Sequence, residues 1–364
     1  MRPVPRGGSI DTGGRADGHP NSLSALLEAL FLDGEDNDAQ LARNVPRALW
    51  DEALLAPLRD FLARPSKGFR AGLVEFGYRV NAGREQDARA PRAPIELPLI
   101  VECLHAGSLI IDDIEDESEA RRGAPTLHRA FGVPLALNAG NWLYFWPQVL
   151  VSRLHVSAQA RLCMHERMAL CLMRCHEGQA LDLHVRVDRL PARDVRTVAC
   201  TISRLKTGGL LGLATALGAL AAEASPERVE ALAEFGRQLG VGLQMLDDIS
   251  GVLNASRRHK ALEDLRHGRV TWVWAFLADE LDRPAYDLLV RELREVRERA
   301  GGGEALIERL RFRLASFGLR RVHEHVQAAL DALTAVIGAG HPDGQWRREV
   351  LEQFDRLESS YVHS

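Results

Sequence analysis

From Ser22 onward apolar residues return at every third or fourth position, and the pattern persists to the late loops of the chain. Alanine and leucine dominate these stretches and no alternating β-branched run interrupts them, so the pattern predicts helix after helix. Local punctuation separates the helices. Pro65-Ser66-Lys67-Gly68 divides one pair, Gly123-Ala124-Pro125 closes another helix, and Gly132-Val133-Pro134 opens the next. Pro191 sits near a helix start, and Ser225-Pro226 reads as an N-cap followed by proline at the first helical position. Gly301-Gly302-Gly303 and His341-Pro342-Asp343-Gly344 mark two late loops. No compositional shift is large enough for a domain boundary, and no repeat of fixed period is present. The expectation is an all-α protein, a single large helical bundle over residues 21–364. Residues 1–20 are rich in Gly, Pro, Arg and Asp with almost nothing to bury, and are expected to form a disordered tail.

Composition narrows the function classes. The 364 residues are 46% hydrophobic and carry a formal net charge of -4, which leaves no electrostatic footprint for nucleic acid or an anionic membrane. An anionic substrate therefore needs local arginines, lysines and metal. The five cysteines, Cys103, Cys163, Cys171, Cys175 and Cys200, are an odd number in apolar helical surroundings, which reads as a reduced cytoplasmic protein. Cys171, Cys175 and His176 lack the second ligand pair of a zinc site. No run approaches eighteen apolar residues, so no transmembrane segment is expected.

The chemistry concentrates in two acidic clusters. In Leu104–Gly123, LHAGSLIIDDIEDESEARRG, six acids fall within the eight positions from Asp112 to Glu119. On a helix Asp112 and Asp116 are one turn apart on one face, with His105 two turns below Asp112. Like charges at that spacing cost a helix roughly 0.2–0.5 kcal/mol per pair, a penalty that a bridging divalent cation removes. Magnesium suits the arrangement, because it binds through one or two carboxylates and keeps other positions for water and phosphate oxygens. Most acid runs are solvated helix ends, but the apolar lead-in here draws the acids toward a core or cleft. The second cluster, GVGLQMLDDISG, places Gln244, Asp247 and Asp248 on one face behind an apolar run. The Glu-x-x-His motif of dinuclear carboxylate oxidases is missing from both clusters, and aspartate oxygens favour magnesium over iron.

These residues carry a resemblance to the trans-isoprenyl diphosphate synthases, and within that family to the eukaryotic-type geranylgeranyl diphosphate synthases. DDIEDESEARRGAPTLHRAFGVP resembles the first aspartate-rich motif and LQMLDDISG the second. Between them HEGQALDL (176–183) and LKTGGLLGLA (205–214) resemble two further blocks, while PSKGFRAGL (65–73) and LEDLRHGRVTW (262–272) flank the set in family order. The resemblance implies the isoprenoid synthase helical bundle with a central cavity. It also implies condensation of isopentenyl diphosphate with an allylic diphosphate, farnesyl or shorter, to a trans-prenyl diphosphate, with pyrophosphate released. Geranylgeranyl diphosphate is the expected product, magnesium (three ions with substrate bound) the expected cofactor, and a homodimer the expected assembly.

By the same resemblance Asp112, Asp116 and Asp247 are the metal ligands, assisted by Asp113 and Asp248. Arg121, Lys206, Lys260 and Arg269 hold the allylic diphosphate, with Thr207 and Gln244 as hydrogen-bonding neighbours. Lys67, Arg70, His105 and Arg122 hold the diphosphate of isopentenyl diphosphate. Gln179 and Asp182 are open between this site and a plain helix–helix contact. Gly107 and Ser108, small residues one turn before Asp112, are expected to leave a pocket deeper than a farnesyl-length one. The chain departs from the family at Gly251, where the second motif has its third acid, at Arg269 for a usual lysine, at Ala71 for a common proline and at Asn141 for an acid. A terpene cyclase on the same bundle and a non-catalytic partner subunit remain the alternative readings.

Overall fold

The computed structural model describes residues 27, 31, 37–65, 68–82, 93, 94, 96–299, 302–337 and 345–362. The expected tail (1–20), Lys67, Gly301 and the loop from His341 to Gly344 lie outside the described residues. The chain divides into two compact units, one ending at Ala63 and the other starting at Arg64. The first unit contains α1 (Asn37–Arg43), α2 (Arg47–Trp50), a π-helical turn (Asp51–Leu55) and α3 (Ala56–Leu62). Phe31 meets Trp50 edge to face there, with ring centroids 5.5 Å apart.

The second unit carries the site and is built from α4 (Phe69–Ala82), α5 (Glu96–Glu115), α6 (Leu127–Phe131), α7 (Val133–Arg153), α8 (Ala158–His184), α9 (Ala192–Leu205), α10 (Thr207–Ala221) and α11 (Pro226–Leu253). It continues through α12 (Arg258–His267), α13 (Trp272–Glu280), α14 (Arg283–Arg299), α15 (Gly303–Leu314), α16 (Gly318–Ile337) and α17 (Gln345–Val362). The expected helix starts are present: Ser225 caps α11 by accepting from Arg228 N, Pro226 is its first residue, and Pro191 directly precedes α9. Among the described residues no helix is long and apolar enough to cross a membrane.

Helix α10 is the centre of this bundle. Its sequence TGGLLGLATALGALA is buried along most of its length, and it packs on α11 on one side and α4 on the other. Glycines make the close approach. A Cβ on Gly77 or Gly218 would overlap the backbone of Thr215 or Val74, and one on Gly240 would stand 2.6 Å from Gly208 Cα. These contacts bring backbone against backbone, so the first residue of α10, Thr207, comes to lie beside Gln244 of α11.

One departure from a purely helical chain lies next to the first acidic cluster. Ala120–Arg121 (β1) and Ala124–Pro125 (β2) pair as a two-stranded antiparallel hairpin. Arg122 and Gly123 form its turn with φ of +53° and +77°, and positive φ at both central positions is the requirement of a type I′ turn. Helical periodicity gives no warning of a ribbon with two residues per strand.

The glycine packing makes a direct prediction. Gly218→Ala places a methyl group on an immovable carbonyl rather than on a flexible side chain. It is expected to lower the unfolding free energy by about 1–3 kcal/mol in chemical denaturation, the range for overpacking a filled core.

Candidate active site

The acids of the first cluster stand where α5 stops. The helix is closed by Ser118 N donating to Asp113 O at 3.0 Å and Glu117 N donating to Ile114 O at 3.3 Å, with Glu117 left-handed at φ +53°. This is the Schellman pattern, filled by a glutamate in place of the usual glycine. The chain then runs straight into the hairpin, which returns Arg121 onto α5. Its Nε is 2.8 Å from Asp113 Oδ1, a second guanidinium nitrogen bonds the same oxygen, and Asp112 Oδ2 is 3.9 Å away. Arg64 pins the hairpin by donating to Arg121 O at 3.2 Å and Pro125 O at 2.8 Å. Asp113 is almost fully buried, and burial raises its pKa against the opposing pull of Arg121. It is an anchor for Arg121 more than an open ligand.

Asp182 of α8 joins the remaining groups. It accepts from Lys206 Nζ at 2.6 Å and lies 3.0 Å from Arg269 Nη1. Arg269 continues to Asp116, and Lys206 stands 3.8 Å from Asp112. Burial works to raise Asp182, but the two cations outweigh it and hold it below the ordinary carboxylate value. Gln179, one turn earlier on α8, donates to Asp112 at 3.0 Å and to Glu115 at 2.6 Å. Gln179 and Asp182 therefore belong to the site and do more than close a helix contact. Lys206 occupies the break between α9 and α10, with φ -83° and ψ -88°. Gly178 gives it passage: a Cβ there would meet Lys206 Cγ at 3.0 Å. Arg269 is placed by a second Schellman cap, in which Gly268 is left-handed and Arg269 N donates to Asp264 O at 3.0 Å.

On the opposite wall Thr207 Oγ1 donates to Gln244 Oε1 at 2.8 Å, and Gln244 Nε2 donates to Asp248 Oδ1 at 2.8 Å. Trp272 N donates to Asp248 Oδ2, also at 2.8 Å. Burial pushes Asp248 up to about 8, with the nearby Asp264 carboxylate adding to the shift. Asp247 is bonded by Lys260 and, at 2.6 Å, by Arg257 Nη2. Asp264 is raised to about 6 by burial, against the pull of Lys260 and Arg269. Asp264 and Arg257 were not singled out in the sequence. Asp264 lies within the LEDLRHGRVTW block and was open to view there, whereas Arg257 carries no sequence signal.

A second, basic group gathers around His105 of α5. His105 is held well below its ordinary pKa by burial and then by Arg70, Arg122 and Arg121, so it is neutral. Arg70 neighbours Glu102, Tyr361 and Arg122, and Arg122 neighbours Glu102, Arg121 and Arg64. Arg70 Nε and Glu102 Oε1 are buried with no hydrogen-bond partner among the described residues. Lys67, expected in this group, is outside them. The hairpin thus sends consecutive arginines to different groups, Arg121 to the carboxylates and Arg122 to the basic cluster.

Gly107 does not face a pocket. A Cβ there would stand 2.9 Å from Gly140 O and 3.1 Å from Leu143 Cβ, so the residue is a close contact between α5 and α7. Cys103, one turn below, faces the same helix, with Sγ 3.6 Å from Leu143 O. Ser108 is half-buried on the Asp112 face, its hydroxyl donating to His105 O at 2.8 Å.

The donor set fits a hard divalent cation. Every acidic side chain presented is an oxygen donor, and each stands against an ammonium, guanidinium or amide on a flexible arm. Among the described residues no three His, Cys, Asp or Glu side chains are close enough to hold an ion by themselves.

A helical bundle that gathers carboxylates of α5 and α8 around Arg121, Lys206 and Arg269 suits a polyanionic ligand. The chain belongs to the polyprenyl synthetase family: residues 51–301 match the family's model. It is a trans-prenyltransferase. Geranylgeranyl pyrophosphate synthase 2 of Zymoseptoria tritici is 30% identical over 245 residues, covering 66% of this chain and 69% of the relative. A short chain isoprenyl diphosphate synthase of Methanocaldococcus jannaschii is 32% identical over 234 residues, covering 64% and 68%. The fold matches geranylgeranyl pyrophosphate synthase from Corynebacterium glutamicum, solved with isoprenyl diphosphate and magnesium, at TM-score 0.67 and 23% identity over 94% of this chain and 96% of that one. Heptaprenyl diphosphate synthase from Staphylococcus aureus gives TM-score 0.68 at 18% identity, covering 93% and 96%.

Metal binding should depend on pH with a definite sign. Burial raises Asp116 to about 6, with Arg269 opposing, and Asp248 stands at about 8. A carboxyl raised in the folded protein keeps its proton where a free one has lost it, and a cation must displace that proton. Magnesium affinity is therefore expected to rise between pH 6 and pH 8. Titration calorimetry in two buffers of different ionisation enthalpy should record proton release, and a flat affinity would contradict it.

Proposed function

We propose that the protein condenses isopentenyl diphosphate with an allylic diphosphate, farnesyl or shorter, to geranylgeranyl diphosphate, releasing pyrophosphate. The observation that supports this reading is the basic group of Arg70, His105 and Arg122 next to the carboxylate-paired cations Arg121, Lys206 and Arg269, more positive charge than a single diphosphate requires. Asp112, Asp116 and Asp247 are the proposed ligands of magnesium, three ions with substrate bound, which neutralises charge on the departing pyrophosphate.

The chain's own groups do the positioning. Arg121, Lys206, Lys260 and Arg269 exchange their carboxylate partners for oxygens of the allylic diphosphate, arginine giving paired contacts and lysine a point charge. Thr207 and Gln244 orient the α11 wall, and Gln244 with Trp272 N keeps Asp248 from rotating. Asp113 holds Arg121 in place. Arg70, His105 and Arg122, with Lys67, bind the diphosphate of isopentenyl diphosphate, and neutral His105 donates a hydrogen bond without adding charge. Donors fixed in place before ionisation cost no reorganisation when charge develops. The released pyrophosphate accepts the proton of the condensed product. The growing chain passes along the Asp112 face of α5, so Ser108 rather than Gly107 is the proposed length-setting residue.

A cyclase reading is disfavoured by the basic cluster around His105, which a one-substrate reaction leaves idle. Incubation with magnesium, farnesyl diphosphate and labelled isopentenyl diphosphate separates the classes. A linear labelled twenty-carbon diphosphate is expected. An unlabelled hydrocarbon or alcohol supports the cyclase, and no product at all supports a partner subunit. Ser108→Phe is expected to shorten the product, and an unchanged length would refute that role.

A homodimer is proposed on an apolar face. Val133, Leu137, Phe145 and Val149 on α7, spaced in multiples of four, and Leu162, Leu170 and Met173 on the adjoining α8 are exposed. Exposed apolar side chains on two adjoining helices are candidates for an interaction surface. Phe145→Asp, at a residue 72% exposed, is expected to yield monomers in sedimentation velocity. A wild-type protein already monomeric would remove the proposal. Cysteine usage is the basis for proposing a cytoplasmic location.

A further inference from the structure

Asp247 has two cationic partners, and only one of them belongs to the expected diphosphate-binding set. Lys260 takes Oδ2, while Arg257 Nη2 takes Oδ1 at 2.6 Å. Arg257 closes the short 3-10 turn Ala255–Arg257 that joins α11 directly to α12, so its backbone is fixed against both helices. Its side chain is 22% exposed. One flat face of the guanidinium is covered by the ring of Tyr361 on α17, with its central carbon 4.2 Å from the ring centroid. Asn254, at the start of the same turn, donates to the backbone carbonyl of Tyr361 at 2.9 Å, which ties this end of α17 to the turn. A guanidinium stacked on an aromatic face keeps its in-plane N–H groups free to choose acceptors in that plane.

Those N–H groups point at a carboxylate that a divalent cation must also use. A magnesium ion on Asp247 and a guanidinium on the same carboxylate repel each other and compete for the same oxygens. Gly251, one turn after Asp247, offers no second acid to which Arg257 could retreat. The acceptors that arrive with the metal are phosphate oxygens, and arginine matches them in paired geometry.

We propose that Arg257 is a further substrate-positioning residue, an alternative partner to the divalent cation on Asp247. When the cation takes Asp247, the guanidinium turns in the plane set by Tyr361 and donates to the bound diphosphate. The inference rests on the diphosphate-binding reading above, and it makes the C-terminal helix a support of the substrate site.

The test measures magnesium alone and magnesium pyrophosphate separately, by titration calorimetry on the full chain, for wild type, Arg257→Gln, Arg257→Lys and Tyr361→Leu. Arg257→Gln removes the competitor, so magnesium alone is expected to bind several-fold more tightly. Pyrophosphate in saturating magnesium is expected to bind roughly tenfold more weakly, the worth of one charge-assisted hydrogen bond. In turnover the KM for the allylic diphosphate rises by a similar factor while kcat moves less. Arg257→Lys recovers part of the pyrophosphate affinity, and Tyr361→Leu weakens pyrophosphate binding with magnesium binding left as in wild type.

A merely structural role would weaken both ligands together, and that result, or affinities equal to wild type, overturns the proposal. Thermal unfolding of each variant is recorded alongside. If Arg257→Gln fails to fold, Tyr361→Leu decides: weaker pyrophosphate with unchanged magnesium affinity supports the proposal, and both ligands weakened together, or neither, overturns it. Should wild type bind magnesium pyrophosphate yet form no condensed product, the synthase reading fails while the competition on Asp247 stays measurable.

Discussion

Crowded carboxylates at one end of a bundle repel, and the architecture depends on the cations interleaved between them. Asp182 sits in the middle of this arrangement, drawing Lys206 from the α9–α10 break and Arg269 from the α12 cap toward one point. Each cation then reaches on to an acid of α5, Lys206 toward Asp112 and Arg269 to Asp116. The end of α8, the α9–α10 break, the α12 cap and α5 are tied together through one half-buried aspartate and its two cations. Such a network is costly to form in a dry interior. At a site that receives a polyanion it has a use, since the same cations serve as ready acceptors of incoming charge.

Backbone geometry delivers those side chains. Glycines along α10 and its neighbours let helices approach until Thr207 and Gln244 can bond, and Gly178 opens a channel for the Lys206 arm. Two Schellman caps finish the work, one ending α5 so that the hairpin can turn back, the other aiming Arg269. The rigid scaffold holds donors at fixed positions, and that is what makes electrostatic assistance effective when a leaving group departs.

Much of this was legible beforehand. Helical periodicity predicted the fold class, and the spacing within the second acidic cluster put Gln244 and Asp248 on one helix face, where they are hydrogen-bonded. What stayed hidden depended on three-dimensional closure. Spacing on α5 placed Gly107 and Ser108 one turn from Asp112 without saying which of them points at α7, and Gly140 and Leu143 decide that Gly107 does. Periodicity has no term for a hairpin with two-residue strands. Arg257 looked like one more charge in a basic stretch, because its importance comes from Tyr361, more than a hundred residues away in the chain.

The hairpin after α5 carries one further consequence. Its turn has two residues and its strands alternate sides, so the chain's own length at this point decides which arginine serves which group. Insertion of a single residue between Asp116 and Arg121 that displaced the hairpin register by one would put Ala120 in the place of Arg121 beside Asp113 and Arg121 in the place of Arg122. Asp113 would lose its guanidinium, and Arg122 would be forced into the left-handed turn position of Gly123. The segment works as a ruler, and length changes here are less tolerable than substitutions, a constraint that would show itself as indel intolerance in a surface segment where indels are otherwise absorbed.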